Sequence, residues 1–153
     1  MLYIQIFKTK EKLGDIKDFI NGELKDYVNT EIWDDIREII SSLEEFNCDE
    51  SKIDVLMLDV DNVLTWDINS IDKDGTEMLI DLFDDIIDLF LGDYKDLILD
   101  QLDVVEYFFN RYSDNDDNLT GKLLSLVFTL IFYLRDIKMT ISIRKDISEE
   151  SNN

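Results

Sequence analysis

Met78, Leu79, Leu82, Phe83, Ile86, Ile87 and Phe90 recur at three- and four-residue intervals. Each helical residue turns the chain by about 100°, so only a helix gathers these positions on one face. The spacing predicts an amphipathic helix whose stripe must be buried against other elements. The same period recurs in Leu13, Ile16, Phe19, Ile20, Leu24 and Tyr27, and again in Ile32, Trp33, Ile36, Ile39, Ile40 and Leu43. Leu97, Val104, Val105, Phe108 and Tyr112 follow more loosely. Leu119 to Leu134 is apolar nearly all round, which predicts a central, buried helix. The chain has no proline, so no ring interrupts any of these segments.

Two terminal runs carry a different period. "LYIQIF" near the start and "KMTISIR" at residues 138–144 alternate apolar and polar, which reads as two short strands that pair and bring the termini together. Gly22, Gly75, Gly92 and Gly121 fall at or near the expected breaks. No repeat or linker divides the chain. The expected fold is mainly α: a single-domain bundle of five to six helices with a short terminal β-hairpin-like pair. Residues 1–147 form the domain and 148–153 a disordered tail. With 153 residues, 45% of them hydrophobic, the chain can bury a core without staples. The single cysteine, Cys48, excludes an intramolecular disulfide. The start lacks a signal-peptide pattern, and the uncharged run from Leu123 to Leu134 falls short of the roughly 20 residues that span a bilayer. A soluble, cytoplasmic protein is expected.

Histidine is absent, which removes the commonest general base and metal ligand and every Ser-His or Cys-His nucleophile pair. The net charge is -21, and its placement is uneven. Residues 1–28 hold five bases and five acids, and residues 119–153 hold five bases and four acids. Residues 29–118 hold 27 acids and five bases, so the whole excess lies in the middle. Such a field repels nucleic acid and anionic membranes and attracts basic surfaces.

"LMLDVDNVLT", residues 56–65, is an apolar run leading into Asp-x-Asp. It resembles the first motif of the haloacid-dehalogenase-like phosphatases. The resemblance implies a strand delivering Asp59 as phosphoryl-accepting nucleophile and Asp61 as acid/base to a magnesium site. "FLGDYKD", residues 90–96, is similar to that family's later Gly-Asp motif, with Asp93 and Asp96 as metal ligands. The chain departs from the pattern in several ways. Helical segments precede the first motif, and the stretch from Val60 to Gly92 offers no strand-borne Ser/Thr and Lys motifs. A parallel sheet also needs more alternating strands than this chain supplies. The same residues read as a core segment, with Ile53, Leu56, Val60, Val63 and Leu64 inward and the acids facing water, so the chain is expected not to be an enzyme. "SIDKDGTEMLID", residues 70–81, can be laid on a twelve-residue calcium loop, with Asp72, Asp74 and Gly75 at its third, fifth and sixth positions. Ser70, Glu77 and Asp81 fit that loop poorly. Asp74 as helix cap, with Glu77 closing a capping box, explains the stretch without a metal. No cofactor or metal is expected.

The acids of the middle segment have a helical arrangement of their own. Asp81, Asp84, Asp85 and Asp88 lie opposite the apolar stripe of their helix, and Asp96, Asp100, Asp103 and Glu106 do the same on the next. Asp93 and Tyr94 lie between the two, and only Lys95 and Arg111 are close in sequence. A hairpin of these helices would present a broad anionic wall. Tyr94, Tyr107, Tyr112, Trp33 and Trp66 are candidate anchors, since aromatic residues dominate binding hot spots. The expected function is a non-enzymatic inhibitor: an immunity protein, antitoxin or anti-defence protein that mimics nucleic-acid charge and blocks a basic toxin or nuclease. The other binding expectation is a helical adaptor that takes a partner helix into an apolar groove.

Overall fold

A computed structural model describes residues 2–94 and 118–151. Five α-helices occur among them: α1 (Leu2–Gly22), α2 (Thr30–Cys48), α3 (Ile53–Asp61), α4 (Lys73–Asp93) and α5 (Leu119–Ser151). Short 3-10 turns, Leu24–Asp26, Glu50–Lys52, Asn62–Thr65 and Ile68–Ser70, join the first four.

The starts of α2, α4 and α5 follow from side-chain capping. Asn29 accepts a hydrogen bond from the Ile32 N–H at 2.8 Å and opens α2. Asp72 accepts from the Gly75 N–H at 2.8 Å and opens α4. Asn118 accepts from the Gly121 N–H at 2.9 Å at the head of α5. Each satisfies one of the donors that a helix leaves free in its first turn. The cap of α4 is therefore Asp72 rather than Asp74, which lies inside the first turn.

The stripes read from the sequence form the core, except that Tyr27 is exposed and Phe19, Trp33 and Met78 are half-buried against it. Leu13, Ile16, Ile20 and Leu24 are buried, as are Ile32, Ile36, Ile39, Ile40 and Leu43 of α2 and Leu79, Leu82, Phe83, Ile86, Ile87 and Phe90 of α4. Helix α4 packs along α5, whose Leu123, Leu126, Val127, Leu130 and Leu134 are buried. Helix α3 lies against both α2 and α5, and α1 against α2 and α4. Two buried hydroxyls of α5, on Ser125 and Thr129, donate back to the carbonyls of Lys122 and Ser125 at 2.7 Å, so neither goes unsatisfied within the apolar packing.

The mainly α bundle is as expected, but the terminal strands are not there. "LYIQIF" begins α1, "KMTISIR" lies within α5, and no strand occurs among the described residues. The physical reason is the marginal stability of a lone two-stranded pair, whereas a helix satisfies its backbone within the segment. Nothing breaks α5 after Gly121, and Met139, Ile143 and Ile147 fit a helical period as well as Met139, Ile141 and Ile143 fit a strand. The helix continues to Ser151, so no change of secondary structure marks the boundary drawn at residue 147.

Candidate acidic face

Helix α4 sorts its residues cleanly. Asp81, Asp84, Asp85 and Asp88 are all exposed, on the side away from the buried stripe. Their spacing places like charges one turn apart, an arrangement that costs each such pair a few tenths of a kcal/mol in an exposed helix. Partial burial against the bundle raises the Asp84 carboxyl above its ordinary value, and the charges of Asp88, Asp85 and Asp81 push it the same way. Asp85 is raised by partial burial and by Asp88 and Asp81. Two cations act in the opposite sense: Lys122 of α5 on Asp84 and Lys12 of α1 on Asp85. Spacing along the chain could not reveal either one, because both come from the helices that flank α4 in space.

The other expected members of the face divide into two groups. Asp93 ends α4. Tyr94 follows it, half-buried, with its ring 5.2 Å from that of Phe46 and 5.3 Å from that of Phe90. Its hydroxyl donates to the Asn47 side-chain carbonyl, so Tyr94 ties the end of α4 to the end of α2. Asp96, Asp100, Asp103 and Glu106 lie outside the described residues, as do Lys95, Tyr107, Arg111 and Tyr112. Of the expected wall, the structure thus describes the carboxylates of α4.

Both tryptophans are engaged within the fold. The Trp33 indole N–H donates to the Ile20 carbonyl at 3.0 Å, satisfying an acceptor in the last turns of α1. The Arg37 guanidinium lies 4.6 Å and the Lys25 ammonium 5.1 Å from the Trp33 ring, both within cation–π range. The Trp66 indole donates to Asp35 at 2.9 Å, and the same carboxylate oxygen accepts from the Asn62 amide at 2.9 Å. Asp35 is thereby a junction between α2 and the turn after α3.

The Asp-x-Asp segment is helix α3 and the 3-10 turn after it, not a strand. Ile53, Leu56, Val60 and Val63 are buried as core, whereas Leu64 is exposed. Asp59 accepts a hydrogen bond from the Ser42 hydroxyl of α2, which holds its carboxylate against the neighbouring helix. Residues 70–81 are likewise not wrapped around an ion position. Asp72 is spent on the cap, and the Thr76 hydroxyl donates to the Asp72 carbonyl at 2.8 Å. Gly75 is demanded by space: a Cβ there would lie 2.6 Å from the Tyr27 carbonyl oxygen. Among the described residues no three Cys, Asp or Glu side chains converge as a metal site.

A groove of about 320 Å³ runs between α1 and α2, lined by Lys17, Ile20, Asn21, Arg37, Ile40, Ser41 and Glu44. Its ionic groups are engaged with their surroundings: Lys17 pairs with Glu44, and Arg37 lies over Trp33. No helix among the described residues is long and apolar enough to cross a membrane. Comparison with known proteins finds no matching family model, no matching curated protein and no matching solved structure.

Proposed function

We propose that this chain is an acidic, non-enzymatic inhibitor that acts in the cytoplasm. It docks the carboxylate face of α4 on a basic cleft of a toxin or nucleic-acid enzyme. The observation that supports this most directly is the clustering of Asp81, Asp84, Asp85 and Asp88 on one exposed face, where partial burial first, and the charges of neighbouring carboxylates after it, already make Asp84 and Asp85 weaker acids than usual. A basic partner would relieve that repulsion, and complementary charge accelerates encounter and rejects wrong partners. An immunity protein, antitoxin or anti-defence protein fits this description.

The test begins with a basic partner retained by the tagged protein from a nuclease-treated lysate and released by moderate salt. Association kinetics of the purified pair then decide the mechanism. The double variant Asp84→Lys/Asp88→Lys is expected to slow association at least about tenfold at low salt, within the range that electrostatic steering supplies. A tight complex with a basic partner that survives this reversal unchanged sinks the mechanism.

A further inference from the structure

We draw no further inference here: the strongest candidate, the groove between α1 and α2 lined by Lys17, Asn21, Arg37, Ser41 and Glu44, carries nothing, because Lys17 pairs with Glu44, Arg37 lies over Trp33, and nothing in the structure shows what would occupy it.

Discussion

Replacing Gly75 by alanine isolates one close contact from a general helix effect. Gly75 is buried in the first turn of α4. Its backbone angle is not the constraint, since no glycine among the described residues has a positive φ. The constraint is space: an added Cβ would lie 2.6 Å from the Tyr27 carbonyl oxygen, 2.9 Å from Ile71 Cγ2 and 3.1 Å from the Asp72 carboxylate that caps the helix. The nearest of these is backbone, so relief requires moving the connection between α1 and α2. Overpacking of this kind costs about 1–3 kcal/mol, and displacing the cap adds about 1 kcal/mol. Alanine returns about 1 kcal/mol of helix propensity. The net expectation is a loss of about 1–3 kcal/mol. Gly14, inside α1, has nothing within 4 Å of such a Cβ, so Gly14→Ala should collect the propensity gain unopposed. Urea unfolding followed by far-UV circular dichroism reads both variants. With a denaturant slope of about 1–3 kcal/mol/M, the two midpoints should separate by about 0.7 M or more, on opposite sides of the parent. A Gly75→Ala midpoint at or above that of the parent refutes the reasoning.

Two further perturbations address the polar contacts. Asp35→Ala strips the acceptor from both the Trp66 indole and the Asn62 amide. It should cost about 1–3 kcal/mol, seen as a lower thermal midpoint with a red-shifted tryptophan emission; Trp66→Phe should cost less, since Asn62 keeps its bond. Acidification should stabilise the fold before it harms it. The raised carboxyls of Asp84 and Asp85 bind protons more tightly in the folded state, so their favourable contribution is fully present below the ordinary value of 3.8 and is lost as pH rises through their raised folded values. Asp49 acts in the opposite sense: hydrogen bonds from the Ser51 hydroxyl and backbone N–H lower it, so its contribution is present above 3.8 and lost as pH falls through its folded value. The thermal midpoint should therefore climb from neutral pH towards 3.8, and Asp84→Asn/Asp85→Asn should flatten that climb; an unchanged climb in the double variant would exclude these two groups as its source.

The helical core was readable because its signal is local. The stripes of α2 and α4 depend on residues three and four apart, and all of those residues but the half-buried Trp33 and Met78 are buried. The terminal runs were misread because Met139, Ile141 and Ile143 satisfy one period and Met139, Ile143 and Ile147 the other. Which one prevails depends on whether a pairing strand exists, which a single short run does not reveal. The candidate site shows the same divide. The α4 carboxylates share a face by spacing alone, but Lys12 and Lys122 act on them through the packing of three helices. Trp33 and Trp66 are candidate anchors by residue type, and spacing along the chain does not reveal that each half-buried ring also donates its indole N–H to an acceptor from another element, Ile20 and Asp35.

The response of the α4 face to salt follows from where the charge lies. Docking of α4 on a basic partner joins opposite fields, so ions that shorten the Debye length to about 10 Å or less remove the attraction that speeds encounter. Added salt should thus slow association of the parent chain with a basic partner. Asp84→Lys/Asp88→Lys removes two of the four carboxylates that draw the partner in and adds two cations that repel it, so this variant should associate slowly at low salt and lose most of the salt dependence with the rate. A salt dependence as steep in the variant as in the parent would place the steering charge elsewhere on the chain.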